Sequence, residues 1–159
     1  MRTFPALLLL SFLALAPSGC RPQYIANTDV EDTGHNRHVI EFCEEYRRAI
    51  ERRNIGALLA MAHPSYYEDG GNVDATDDID YAGLREFLET KFRDTRAIRY
   101  EIRYRRVQES PTKTIWVDYT FSASYKIPTP EGEVWRRQRD DNRLELIPYE
   151  DTYRVISGM

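Results

Sequence analysis

The strongest constraint on this chain is a change of period at about residue 98. From there apolar residues fall on every second position: Ile98, Tyr100, Ile102 and Tyr104, then Ile115, Val117, Tyr119, Phe121, Ala123, Tyr125 and Ile127. Arg99, Glu101, Arg103 and Arg105 fill the first set of gaps. A period of two belongs to strands with one face on a core and the other toward water. Pro128, Pro130 and Gly132 mark a turn, after which a third strand is expected over about Val134 to Ile147. A last strand is expected over Thr152 to Ser157, with Tyr153 and Val155 on one face. Before residue 98 the period is helical. Val39, Phe42, Cys43, Tyr46, Ala49 and Ile50 form one stripe, with Glu41, Glu44, Glu45, Arg47, Arg48 and Arg52 opposite. A short helix starts at Asn54 as N-cap, carries Leu58, Leu59 and Ala62 inward, and is closed by Pro64. A third takes Asp80 as N-cap and Leu84, Phe87, Leu88 and Phe92 as its stripe. Helices first and a meandering sheet second give an α+β class, with the helices on one sheet face.

The N-terminus carries an address. Arg2 is the only charge before Cys20, and Ala6 to Ala16 is an apolar run of signal-peptide length. It is too short to span a bilayer as a mature helix and has no polar face to make it a core helix. Ser18-Gly19-Cys20 resembles the lipobox of bacterial lipoproteins, with Pro17 standing where that family usually has Leu. The resemblance implies that residues 1–19 are removed and that Cys20 is lipidated, for instance with palmitate. The protein would then be held on a bacterial membrane in the cell envelope, the outer membrane where the host has one. The alternative is ordinary secretion, cleaved near Ala16-Pro17-Ser18. Residues 20–35 lack periodicity and hold Pro, Gly, Asn and Asp, which predicts a flexible tether ahead of a domain at 36–159. Cys43, left without a partner by lipidation of Cys20, reads as a small buried hydrophobe. A net charge of −4 gives no reason to expect nucleic acid as a partner.

Three segments carry a fold-level resemblance. They are Leu58 to Gly71 (LLAMAHPSYYEDGG), Asp80-Tyr81-Ala82-Gly83-Leu84, and the ending Tyr153-Arg154-Val155-Ile156-Ser157-Gly158, where Tyr replaces the more usual Trp. Together they resemble the NTF2-like, or SnoaL-like, superfamily over about residues 36 to 159. The resemblance implies a cone: three N-terminal helices packed on a curved, mainly antiparallel sheet, with a cavity between them. The superfamily holds isomerases, dehydratases, epoxide hydrolases, cyclases and binding modules, so the fold alone does not name an activity.

Strand parity then nominates residues. If Leu144 and Leu146 face the core, counting back by twos places Asn142, Asp140, Gln138 and Arg136 on the same face. Tyr100, Tyr119, Gln138 and Asn142 are the candidate ligand contacts. For an enzyme of the ketosteroid-isomerase kind, Asp140, Tyr67 and His63 are the candidate acid/base groups, since a carboxylate, phenol or imidazole in an apolar pocket can move a proton. The competing explanation is a bulge at Asp140-Asp141-Asn142, or polar groups that serve loop backbone. His35 and His38 have no third ligand at metal spacing. The acidic loop at 68–80 fails as a calcium loop: counted from Asn72, Asp77 stands where Gly belongs and Gly83 where Glu belongs. No metal or cofactor is expected. Opposite parity sends Trp116, Trp135, Arg137, Arg139 and Arg143 outward, a composition suited to an interface. The favoured expectation is a lipid-anchored accessory module that binds a small apolar ligand or a protein without catalysis. The rivals are the acid/base enzyme and a structural envelope protein that dimerises through the outer sheet face.

Overall fold

In a computed structural model the described residues are 22–70 and 76–159. The signal segment at 1–19, Cys20, and Gly71, Asn72 and Asp74 of the acidic loop lie outside them. Helix α1 spans Gly34–Glu51, α2 Ile55–Met61 and α3 Tyr81–Arg93. Each start follows its local chemistry. Thr33 caps α1 by accepting from the Asn36 amide, Asn54 caps α2 through Ala57 at 3.0 Å, and Asp80 caps α3 through Gly83 at 2.8 Å. The helix at 34 thus begins two residues inside the expected tether. Among the described residues no helix is long and apolar enough to cross a membrane.

Strands β1 (Tyr67–Glu68) and β2 (Ile79–Asp80) pair as a small ribbon. Strands β3 (Ala97–Glu109), β4 (Ile115–Thr129), β5 (Gly132–Tyr149) and β6 (Thr152–Ser157) form an antiparallel sheet in the order β3-β4-β5-β6. The three helices lie against one face of this sheet, the α+β arrangement the periods imply. Leu58, Leu84, Val117, Leu144, Leu146 and Val155 are fully buried where the layers meet. Each such side chain contributes roughly 1.5–3 kcal/mol of apolar burial. Two half-buried carboxylates tie α1 to β3: Glu44 accepts from the Tyr104 hydroxyl at 2.8 Å, and Glu51 accepts the Tyr100 amide at 2.9 Å.

Two departures from simple alternation matter. A bulge between Tyr104 and Arg106 restarts the register of β3. It pairs Arg106 with Asp118 and Val107 with Val117, so a basic side chain that strict alternation would send inward faces out instead. On β5, residues 132–143 pair only with β4, because β6 covers only the far end, from Glu145. Along this exposed half, the Asp141 amide is satisfied by the Asp140 carboxylate at 2.9 Å and the Arg143 amide by the Asn142 side chain at 2.8 Å. Polar side chains that occupy the next residue's edge amide make a poor template for another strand.

The segment expected as a free tether is fixed to the domain from Tyr24 onward. Tyr24 bridges to Glu31, Val30 is 2% exposed, and the Asp29 amide bonds the Tyr104 carbonyl at 2.9 Å. Asp29 also pairs with Arg103 at 2.6 Å and Arg105 at 2.8 Å. These two guanidiniums hold its carboxyl down to about 2, hydrogen bonding being the main cause. The physical reason is a single apolar anchor backed by an ion pair, neither of which has a period to read.

Candidate functional site

Between the helices and the uncovered half of the sheet lies a cavity of about 530 Å³, within the range of about 300–1,000 Å³ usual for small-molecule sites. Helix α3 supplies one wall with Phe87, Leu88 and Phe92. Its neighbour Thr95 is buried and bonds back to the Lys91 carbonyl at 3.3 Å. Tyr46 and Ile50 of α1 and Leu58 of α2 close the inner end. The sheet contributes Tyr100 from β3, Phe121, Tyr125 and Ile127 from β4, and Arg136, Gln138 and Asn142 from β5. Tyr100 and Phe121 are stacked, with centroids 5.4 Å apart.

Behind the inner wall sits a hub of phenols. Tyr119 is 1% exposed, and its hydroxyl faces the phenols of Tyr46 and Tyr100 and the Asn142 amide. The Asn142 amide donates to it at 3.1 Å and also reaches the Gly158 carbonyl at 3.2 Å. Burial pushes the Tyr119 phenol up to about 12, against the pull of its three partners. Burial also drives Tyr46 and Tyr100 upward, so all three are protonated at neutral pH.

The sequence candidates are distributed unevenly around this site. Tyr100, Gln138 and Asn142 line the cavity, Tyr119 stands directly behind it, and Arg136 joins them as parity implies. Asp140, Tyr67 and His63 are not among its lining residues, and each has separate neighbours. Asp140 shares the register face with Phe121, but its carboxylate folds back onto the Asp141 amide. Tyr67 is exposed and bonds Asp78. His63 takes the Ser65 hydroxyl at 2.6 Å and the Ser65 amide at 3.1 Å on Nδ1, with its ring edge-on to Tyr149. That is a local turn two residues long. On the opposite face, Trp135, Arg137 and Arg139 pair across with Lys126, Ser124 and Ser122, and Trp116 with Glu145. Arg99 lies 4.6 Å over the Trp135 ring and Arg143 5.7 Å from Trp116.

A wider, more open depression runs round the edge of β5 and holds Arg105, Arg106, Arg139 and Arg143 with Asp118, Asp140 and Asp141. Its charges are largely matched internally: Asp118 pairs with Arg106 at 2.7 Å and Arg143 at 2.6 Å, which lowers its pKa. Asp141 takes the Thr120 hydroxyl at 2.6 Å. The cavity differs in having, among the described residues, no acid or imidazole in its lining. Sequence reasoning missed Lys91 and the role of Tyr46. Lys91 falls on the stripe of α3, four residues after Phe87 and three after Leu88, where a charge was a readable signal. Tyr46 was legible as core but not as a partner of Tyr119, because that contact joins distant parts of the chain.

Neither a known protein family nor a curated protein matches the sequence. Solved structures do match in shape. A proposed dehydratase of the NTF2-like family from Streptomyces avermitilis superposes with a TM-score of 0.65 at 13% identity, covering 77% of this chain and 92% of its own. A proposed scytalone dehydratase from Novosphingobium aromaticivorans gives 0.66 at 7% identity, over 78% and 80%. A ketosteroid isomerase-like protein from Erwinia carotovora atroseptica gives 0.61 at 13% identity, over 80% and 95%. Identities this low speak for architecture alone. The chain carries the NTF2-like cone fold, three helices on an antiparallel four-stranded sheet.

Proposed function

We propose that this domain is a non-catalytic module that takes a small, largely apolar ligand into the cone, and that the mature protein is lipid-anchored in a bacterial envelope through Cys20. The observation that supports the binding reading is the lining: aromatic and aliphatic walls, a few amides and hydroxyls, two cations and, among the described residues, no carboxylate or imidazole. A general base needs a group that is deprotonated at working pH and within hydrogen-bond reach of its substrate. The phenols nearest the cavity are held protonated, which suits them to donate hydrogen bonds rather than abstract protons. The shape likeness to dehydratase and isomerase folds leaves acid/base chemistry as the rival reading, with Asp140, Tyr67 and His63 as its candidates. That rival requires Asp140 to leave the Asp141 amide. A dimer through Trp116 and Trp135 is compatible with either.

Uptake of the neutral fluorophore phenylnaphthylamine tests the binding reading. Its emission should rise on mixing, and Gln138→Trp, which fills the cavity from an exposed strand position, should abolish the rise. No rise with the wild-type protein, or an equal rise with the filled variant, refutes the module. Incorporation of labelled palmitate in a bacterial host, lost in Cys20→Ser, tests the anchor.

A further inference from the structure

We infer that the ligand is an amphipathic anion: an apolar body that fills the cone and a single acidic head held at the mouth by Arg136 and Lys91. The inference rests on the binding reading above and adds the ligand's charge. Both cations line the cavity, and among the described residues its lining contains no acid to neutralise them. Elsewhere some bases have acid partners, while others on the surface, such as Arg137 and Arg139, have none among the described residues. Arg47 has Glu44 and Glu51, Arg106 and Arg143 share Asp118, Lys113 has Glu109, and Lys126 has Glu133. Among the described residues the Arg136 side chain has no ion pair and no hydrogen bond, and the Lys91 ammonium has only the Phe87 ring, 5.2 Å away.

The placement of the two cations fits a head group. Lys91 rises from the same stripe of α3 as Phe87 and Phe92, so its ammonium stands beside the aromatic wall. Arg136 leaves β5 next to Tyr125 in register, on the facing wall. Gln138 follows on the same face, roughly 7 Å further along the strand, and adds an amide that makes no other hydrogen bond among the described residues. A guanidinium fork and an amide on one wall and an ammonium on the other match the oxygens of a carboxylate or sulfonate.

Two fluorophores with nearly the same bicyclic body separate the claims: anilinonaphthalenesulfonate, which is anionic, and phenylnaphthylamine, which is neutral. Each is titrated against wild type and against Arg136→Gln with Lys91→Met, the Met keeping the apolar stem on Phe87. The sulfonate should bind the double variant about tenfold more weakly, the low end for hydrogen bonds to a charged head at a half-open mouth. The neutral probe should bind both proteins alike, which also shows that the variant is folded. If both probes bind wild type and the substitutions leave sulfonate affinity unchanged, or lower both affinities equally, the anion inference is overturned while the module stands. If neither probe enters wild type, the binding reading itself fails.

Discussion

Replacing Tyr119 by Phe should damage this protein more than replacing either tyrosine that faces its hydroxyl. The Tyr119 hydroxyl is the shared partner of Tyr46, Tyr100 and the Asn142 amide, and the ring is fully buried. Tyr119→Phe keeps the ring and deletes one oxygen. It leaves two phenols without the partner they have now, while Asn142 retains the Gly158 carbonyl. An orphaned buried polar group costs about 1–3 kcal/mol. Tyr46 and Tyr100 both touch the cavity, where water can reach them, so the low end applies to each. Adding about 1 kcal/mol for the lost hydrogen bond itself puts the total at about 3 kcal/mol. Tyr46→Phe removes one outer member and leaves the hub with two partners, which should cost about 1 kcal/mol. At roughly 3–4 °C per kcal/mol for a domain of this size, the two variants should melt about 10 °C and about 3 °C below wild type. The double variant adds the sharper test. Once the hub is gone, Tyr46→Phe removes only an orphan and should cost nothing or restore some stability. Equal losses for both single variants, with additive loss in the double, would refute a shared hub and reduce the cluster to independent contacts.

Gly158→Ala should destabilise the domain by about 2–4 kcal/mol in chemical denaturation, from overpacking and a strained backbone together. Gly158 sits at φ +90, and an added Cβ would lie 1.8 Å from the Arg143 carbonyl oxygen. The same change should weaken probe uptake, since Met159 next to it lines the cavity. Acid should release the segment at 22–33 before the sheet opens. Asp29 has a folded pKa of about 2, below the usual carboxylate value of about 3.9, so its contribution is complete above about pH 4 and is lost as pH falls through about 2. Hydrogen exchange at the Asp29 amide should therefore accelerate across that window, and Asp29→Asn should make it fast at neutral pH. Removing a helix cap, Asn54→Ala or Asp80→Ala, should cost about 1 kcal/mol each. Cys43 is buried and its thiol is pushed up by desolvation, so alkylating reagents should label it only after unfolding.

The sequence declared whatever is settled between near neighbours. The caps at Asn54 and Asp80, the stripe from Val39 to Ile50 and the alternation from Ile115 to Ile127 are all local patterns, and all reappear in the fold. The bulge at Tyr104 did not announce itself, because it resolves a conflict between two basic residues and a Val whose partners lie on another strand. The docked segment at 22–33 was equally silent. One inserted Val30 and one ion-paired Asp29 hold it, and an isolated anchor has no repeat for a reader to find.

Parity along β5 shows both what such a reading supplies and where it stops. The count from Leu146 back to Arg136 assigned the right face throughout, for Leu144 and Leu146 are fully buried and Arg136, Gln138 and Asn142 line the cavity. What alternation does not carry is coverage. The same face is dry core where β6 flanks the strand and open wall where it does not. A polar residue on that face is therefore tolerated in one half of β5 and would be ruinous in the other. Asp140 marks the boundary case. It has the register of a cavity residue, but the Asp141 amide one residue away claims its carboxylate. Arg136 and Gln138 have no such claimant on their side chains. That difference in local satisfaction, rather than the face they share, makes the cone's mouth basic instead of acidic.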